Sequence, residues 1–420
     1  MAALGFNLYL LFVASWFLHL GERIALLGQI RIDLILVAVL AALAVTHRKT
    51  GITTDTDKWL RVLIVYALAT IPFVEWPGSV LRSGIEALIK GVAFYYFTVA
   101  FVDSETRLKR FLALFVACQL IRVMEPLYLH VTEGYWGSAA SEANWEYLNR
   151  LSGAPSDIVN PNGLAFIICT VMPFLWFAAG LSRIYRLTLL LFAPLCIYAL
   201  MLTGSRSGFL GLIIVAVGII AKSKRRLALA AGAIVVAAAG FQFLGGDLQD
   251  RYLSIVGSGE KNAATAEGRL SGIISGFEVA LRRPFFGHGL GTSREANANF
   301  NSIDQPAHNL YAEAAMELGF IGMAIFILLI VSIFSAFREC KRACANWPED
   351  SFVHRTVDAM QVWLLLNIVF SFASYGVTSY EWYLLGGLAV ALRRITGQVE
   401  SVPSAAARSA RNAHLPRTAY

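Results

Sequence analysis

The sequence predicts an all-α integral membrane protein with roughly twelve transmembrane helices and two longer loops on the outer side. Of its 420 residues, 57% are hydrophobic and 15% are charged, whereas a soluble domain carries about 25% charged residues. So little charge does not cover the surfaces of soluble domains, which excludes a soluble enzyme, a disordered chain and a disulfide scaffold. Apolar runs near the roughly 20-residue length of a bilayer-spanning helix recur along the chain, without the period-2 alternation of a β-barrel strand.

These apolar runs define the predicted spans. Their centres lie near Phe12, Leu36, Ile64, Ala93, Leu114, Ile168, Leu191, Val215, Ile234, Phe326, Leu365 and Leu385. Clusters of Lys and Arg occupy loops between the runs, at positions 48–49, 107–110, 183–186, 222–226, 338–342 and 393–394. With twelve spans, all of these clusters face one side, which the positive-inside rule identifies as the cytoplasm. We therefore expect both termini in the cytoplasm, and we attribute most of the net charge of +7 to cytoplasmic loops rather than to a nucleic-acid partner.

The predicted organisation is one polytopic membrane domain over residues 1–396, followed by a disordered cytoplasmic tail over 397–420. The first apolar run is interpreted as a span, because the N-terminus lacks the basic start and the small-residue cleavage site of a signal peptide. Two outer loops, about 132–159 and 245–306, are long. Long ordered loops usually carry function, with a tolerated insertion as the alternative.

A tight turn at residues 203–208, which read Thr-Gly-Ser-Arg-Ser-Gly, closes the outer end of the seventh run. The glycines and serines let two helix ends approach closely and leave backbone N–H groups for an anion, so Ser205 is a candidate supporting residue. Arg206 keeps its charge in a protein and stands at the membrane boundary. It either contacts lipid phosphate by snorkelling or binds an anionic substrate.

The second outer loop contains two candidate features. Apolar residues at helical spacing over 267–281 predict a short amphipathic helix at the membrane interface, with Arg269 at its start. Residues 284–292 follow, and their three glycines around His288 form a turn in which backbone meets a ligand. No strand precedes this turn, so it is not a nucleotide-binding fingerprint.

His308 and Asn309 stand at the first turn of the tenth predicted span, at its outer end. Glu313 and Glu317 share a helix face with Asn309 by their i, i+4 spacing. Carboxylates inside a membrane are costly and indicate a site or an ion pair. A histidine at a helix start is commonly a cap or a packing residue, but its ordinary pKa near 6.5 also suits a general base.

Arg150 in the first outer loop and Arg122 near the outer end of the fifth span place further charge at the same surface. Arginine forks match phosphate geometry with two contacts at once. These residues fit a lipid-linked diphosphate donor, with a histidine that takes a proton from an acceptor hydroxyl and arginines that stabilise the leaving group. No cofactor is indicated, and no metal-binding cluster is evident. The same composition also allows a transporter.

Two patterns resemble the O-antigen ligase and polymerase superfamily of bacterial envelope glycan enzymes. Arg206 with Leu210 matches the family's Arg-x₃-Leu pattern. His308-Asn309, nine residues and then Gly319-x-x-Gly322 match its His-[Asn/Ser/Gln]-x₉-Gly-x-x-Gly pattern. The similar stretch covers roughly 203 to 323, and the layout of spans is similar over the whole chain.

This resemblance implies a GT-C-like glycosyltransferase of the bacterial inner membrane that needs no metal. Such an enzyme moves a glycan from undecaprenyl diphosphate to an acceptor sugar on the periplasmic face. By motif, His308 is the implied base and Arg206 a diphosphate ligand, while Arg269 matches the family's second loop arginine by position. Arg150 and Arg122 are added as diphosphate ligands from their outer location alone.

The acceptor separates the members of this superfamily. A ligase uses the lipid A–core of lipopolysaccharide, a Wzy-type polymerase uses a second lipid-linked repeat of O-antigen or exopolysaccharide, and a third relative glycosylates protein. We favour the ligase because both patterns describe that branch. A lipid-linked glycan transporter is the alternative of another class, but it predicts an internal repeat and a charged path through the midplane, and neither is evident.

Overall fold

The computed structural model of the protein describes residues 2–46, 54–138, 149–242, 249, 260–302, 304–374 and 376–400. Over these ranges the chain forms helices and no strands, which confirms the all-α class. A helix covers the centre of every predicted apolar run. The principal helices are α1 (Ala2–Leu18), α2 (Ile32–Thr46), α3 (Asp55–Ala69), α4 (Pro77–Phe101), α5 (Glu105–Glu133), α6 (Pro161–Ala178), α7 (Arg183–Leu202), α8 (Arg206–Lys222), α9 (Arg226–Gln242), α10 (Glu260–Arg282), α11 (Ser293–Asn301), α12 (Leu310–Ala343), α13 (Phe352–Phe370) and α14 (Tyr380–Glu400).

Five of these helices, α4, α5, α6, α7 and α12, are long and apolar enough to cross a membrane. Helices α1 and α2 are apolar but shorter. The protein is therefore a multi-pass membrane protein, whereas the total of twelve spans stays a prediction. The amphipathic helix predicted for 267–281 is present and longer, because α10 begins at Glu260.

Polar caps set where several helices begin. The side chains of Ser104, Asn160, Ser182, Ser205 and Asn309 each accept a hydrogen bond from a backbone N–H in the first turn of the helix that follows. The first N–H groups of a helix have no partner within the helix, so a side-chain oxygen at this position satisfies one of them. Local sequence therefore fixes the residue at which each of these helices begins.

The core is rich in aromatic side chains in its N-terminal half. Tyr9 packs against Phe12 and Phe111, and its hydroxyl lies 2.7 Å from Thr98 Oγ1 in α4. Elsewhere α12 packs against α3 and α14, and α13 packs against both α6 and α8. The central position of α13 brings helices that are far apart in sequence next to one another.

The bundle has two ends with different chemistry. At one end Lys222 and Lys341 both bind Asp358, at 2.9 and 2.7 Å, and Arg393 binds Glu339. Basic clusters from three different loops therefore meet at one end, as their spacing predicts. At the other end, called the loop end below, α5 and α13 finish and α6, α8 and α12 begin. All the candidate site residues with described side chains belong to the loop end.

Candidate active site at the loop end

Arg150 is the centre of a buried hydrogen-bonded group that joins the first long loop to the start of α8. Its Nε donates to the Thr203 carbonyl at 2.8 Å, and its Nη2 donates to Asn162 Oδ1 at 3.0 Å. Ser205 Oγ donates to the same Asn162 oxygen at 2.8 Å. Arg150 is only 3% exposed, so this guanidinium is held at the turn between α7 and α8 rather than in open solvent.

Arg206 is the first residue of α8, directly after the Ser205 cap. The turn before it depends on Gly204, whose φ of 56° is in the left-handed region that favours glycine. Gly208 lets α8 approach α6, because a Cβ there would lie 2.4 Å from Ala165 Cβ. The Thr-Gly-Ser-Arg-Ser-Gly stretch therefore places two arginines, Arg150 and Arg206, at one helix N-terminus, where the helix dipole favours anions.

Arg122 has a different environment from the one predicted for it. Its Nε and Nη2 donate to both carboxylate oxygens of Asp157, at 2.6 and 3.1 Å, and its Nη1 donates to Gln119 at 3.1 Å. Both charged side chains are buried, so this ion pair fixes the first long loop to α5. We therefore withdraw Arg122 as a diphosphate ligand, since its charge is neutralised by a residue that sequence spacing does not connect to it.

His308 and Asn309 stand at the start of α12, as predicted, and have separate roles. Asn309 Oδ1 accepts hydrogen bonds from Tyr311 N and Ala312 N, both at 3.0 Å, so this residue is the helix cap. Asn309 Nδ2 donates to the Phe372 carbonyl at 3.2 Å, which attaches the start of α12 to the chain after α13. His308 precedes the cap and is exposed. The capping role thus belongs to Asn309, and the imidazole of its neighbour remains accessible.

The end of α13 contacts both the start of α12 and the start of α8. Leu310 N donates to the Ser371 carbonyl at 2.9 Å. On the other side, a Cβ at Gly211 would lie 3.5 Å from Phe370 Cδ2, and the centre of the Phe370 ring lies 4.7 Å from that of the Phe166 ring in α6. The structure therefore places the two motif segments, with Arg206 and His308, on either side of one helix end.

Glu313 and Glu317 bind backbone amides, and neither forms an ion pair within the described ranges. Glu313 Oε2 accepts from Gly376 N at 2.6 Å and from Val377 N at 3.1 Å. The two oxygens of Glu317 accept from Gly291 N at 2.8 Å and Ser293 N at 3.2 Å. These buried carboxylates attach two different loops to the first turns of α12 and so support the segment that carries His308.

The glycine pair of the histidine pattern produces a break in α12. Gly319 has φ 69° and ψ 176°, and a Cβ there would lie 2.3 Å from the Phe285 carbonyl oxygen. The glycine-rich loop, residues 284–292, is hydrogen-bonded to α12 on both sides of this break. His288 N donates to Met316 O at 2.8 Å, and Phe320 N donates to Pro284 O at 2.8 Å. The glycine-rich loop and the glycine pair of α12 therefore form one structural unit.

Tyr66 completes this unit and was not predicted from the sequence. Its hydroxyl lies 2.5 Å from the Phe285 carbonyl oxygen and 2.9 Å from that of Leu318. Gly322 is the position where its ring approaches α12, since a Cβ there would lie 2.8 Å from Tyr66 Cε1. A tyrosine more than 200 residues away in sequence carries no local signal of such a contact.

His288 is buried, and its main chain is the junction between two loops. Its N–H binds Met316 and its carbonyl accepts from Glu75 N at 3.1 Å. Its Nε2 lies 3.0 Å from the Val279 carbonyl, and burial lowers the pKa of this imidazole. His288 is therefore neutral at neutral pH. Of the remaining candidates, Arg269 belongs to α10, but its side chain lies outside the described residues.

The fold and these contacts define a multi-pass helical membrane protein with arginines and an accessible histidine at one end of its bundle. A family model described as O-antigen ligase matches residues 187–327, which run from α7 into α12. This segment contains Arg206, Arg269 and His308, and over it the chain is similar to the O-antigen ligase and polymerase superfamily. A comparison with curated proteins finds no match.

Proposed function

We propose that the protein is a membrane glycosyltransferase of the O-antigen ligase type. It moves a glycan from undecaprenyl diphosphate to an acceptor sugar on lipid A–core, at the periplasmic face of the bacterial inner membrane. The observation that carries this proposal is the meeting of the two motif segments at the end of α13, inside the region that the family model matches. The loop end is then the periplasmic end, and the basic clusters lie in the cytoplasm.

In this proposal His308 is the general base and Arg206 and Arg150 bind the diphosphate. The acceptor hydroxyl gives its proton to the His308 imidazole while its oxygen attacks the anomeric carbon of the donor sugar. The bond between that carbon and the diphosphate oxygen breaks, and the electron pair leaves with undecaprenyl diphosphate. Arginines and the N-terminus of α8 stabilise the negative charge on this leaving group. Arg269 is proposed as a further ligand on the family pattern alone.

The roles of the supporting residues follow from their contacts. Ser205 and Asn309 cap the helices that carry Arg206 and His308, so they position these two side chains. Glu313 and Glu317 hold neighbouring loops on α12. His288 is excluded from proton transfer, since it is buried beside the glycine-rich loop and its Nε2 is engaged by Val279.

The test is glycan transfer by purified protein in lipid, with a synthetic undecaprenyl-diphosphate glycan as donor. His308→Ala is expected to lower the rate by at least about 100-fold, the usual contribution of a general base. Arg206→Ala is expected to raise KM for the donor and to lower kcat. Lys224→Ala is the control, because Lys224 lies exposed at the opposite end of the bundle. Full activity of both site variants would refute the assignment.

Two acceptors distinguish the members of the superfamily. Transfer to purified lipid A–core supports the ligase, and chain growth on a second lipid-linked repeat supports a polymerase of O-antigen or exopolysaccharide. Transfer to a protein acceptor supports the third relative. Movement of the donor across a vesicle membrane without a covalent product would favour the transporter instead.

A further inference from the structure

A cleft of about 470 Å³ opens beside the glycine-rich loop at the loop end. Its walls come from the turn between α3 and α4, from the end of α10 and from the glycine-rich loop. The residues that matter for its chemistry are Phe73, Glu75, Arg282, Arg283, His288 and Phe300. None of these residues has a role in the proposed glycan transfer.

The cleft carries one excess positive charge. Arg283 Nε binds Glu75 Oε2 at 2.6 Å, so these two charges cancel. Arg282 has no carboxylate partner in the described part of the chain, and its guanidinium lies 4.8 Å from the centre of the Phe300 ring. An arginine stacked on an aromatic ring keeps its N–H donors available at its edge, which suits a phosphate oxygen.

His288 contributes one unused hydrogen-bond acceptor. Because a carbonyl oxygen only accepts, the contact of Nε2 with the Val279 carbonyl requires the proton on Nε2. Nδ1 of the neutral ring is then an acceptor, and it is buried with no partner among the described residues. Because His288 lines the cleft, we assign this nitrogen a hydroxyl of a bound ligand as its donor. The ring itself is 1% exposed, so its orientation is held by packing rather than by solvent.

The rim of the cleft is apolar and lies where helices end. Phe73, Phe285 and Phe286 line the cleft and are 57%, 64% and 40% exposed. α3 ends at Ala69 and α4 begins at Pro77, so this rim is at the boundary between the apolar bundle and water. Exposed aromatic side chains beside an arginine at the ends of apolar helices are typical of residues that contact lipid at the headgroup level.

We propose that this cleft binds one anionic phospholipid with a hydroxylated headgroup, its phosphate on Arg282 and a headgroup hydroxyl donating to His288 Nδ1. The acyl chains then lie along the exposed phenylalanines. A phosphodiester carries a single negative charge, which matches the single excess charge of the cleft. A diphosphate carries more charge than this cleft neutralises, so the site is separate from that of the glycan donor.

The test is native mass spectrometry of the purified full-length protein with three added lipids. Phosphatidylglycerol has the phosphodiester and the hydroxyls, phosphatidylethanol has the same charge without a hydroxyl, and phosphatidylethanolamine has no net charge. We expect phosphatidylglycerol to bind about fivefold more tightly than phosphatidylethanol, the effect of one neutral hydrogen bond. Phosphatidylethanolamine is expected to bind weakest.

Arg282→Gln is expected to weaken phosphatidylglycerol binding about tenfold, through loss of one charge-assisted hydrogen bond. Arg82→Gln is the matched control, since Arg82 is an exposed arginine at the same end that does not line the cleft. If both variants weaken phosphatidylglycerol binding equally, the affinity depends only on general surface charge, and the proposal is overturned. Equal affinity for phosphatidylglycerol and phosphatidylethanol, or displacement of phosphatidylglycerol by an equal concentration of polyprenyl-diphosphate glycan, would also overturn it.

Discussion

Replacement of Gly319 by alanine tests whether the break in α12 is required by the fold. Alanine at φ 69° and ψ 176° costs about 1–3 kcal/mol in backbone strain. Its Cβ would also lie 2.3 Å from the Phe285 carbonyl oxygen, so the glycine-rich loop has to move. Movement weakens the bonds from Phe320 N to Pro284 O and from His288 N to Met316 O, each worth about 0.5–1.5 kcal/mol. The expected destabilisation is about 2–6 kcal/mol in total.

The assay is thermal unfolding of the purified protein in a fixed detergent, followed by tryptophan fluorescence. Gly319→Ala is expected to lower the apparent Tm by roughly 2–6 °C. Gly272→Ala is the control, because a Cβ at this position of α10 has nothing within 4 Å. In a helix this change stabilises by about 0.5–1 kcal/mol, so the two variants differ in sign. An unchanged Tm for Gly319→Ala would refute the argument.

Two further predictions concern buried charge. Asp157→Asn leaves the Arg122 guanidinium buried without a carboxylate and is expected to cost about 3–5 kcal/mol of stability, seen as a lower apparent Tm. The control is Glu125→Gln, which breaks a more exposed ion pair with Arg23 and should cost less than about 1 kcal/mol. Equal losses of stability in the two variants would contradict this ranking. Burial lowers the pKa of His288 below 6.5 in the folded protein, so between the two pKa values the unfolded chain binds more protons. Stability is therefore expected to be complete above pH 6.5 and to fall as the pH drops below it, and an apparent Tm that does not change between pH 7.5 and pH 5.5 would contradict this assignment.

Glu317→Gln tests the attachment of the glycine-rich loop to α12. An amide offers one acceptor oxygen to the two N–H groups of Gly291 and Ser293 and turns its NH₂ group towards the other donor. We expect a loss of about 1–3 kcal/mol and faster proteolysis of the loop. Proteolysis at the wild-type rate would show that the loop does not depend on this carboxylate.

Much of the fold was predictable because its causes are local. Apolar runs of sufficient length predict helices, and polar residues such as Ser205 and Asn309 predict where helices begin. Basic clusters predict which helix ends share one side, and Lys222 and Lys341 do meet at one end. The motif residues Arg206 and His308 could be identified from short spacings within contiguous segments, and their roles in the site stay predictions.

Long-range partners were not predictable, since nothing in the spacing of residues connects them. Arg122 has the sequence features of an exposed ligand, and only the folded chain brings Asp157 to it, 35 residues away. Tyr66 and Glu75 join the glycine-rich loop from positions more than 200 residues distant. Such contacts depend on how helices pack, and packing depends on the side chains of several helices together.

The sequence by itself determined that this protein is helical and multi-pass, and its motifs showed a resemblance to O-antigen ligases, because hydropathy and short motifs are properties of contiguous residues. Only the tertiary structure decided that the Arg122 guanidinium is consumed in a buried ion pair with Asp157. It also showed that Gly319 and the glycine-rich loop form one unit, and it revealed the cleft beside His288. These features depend on distances between residues far apart in the chain, which burial and helix packing alone set.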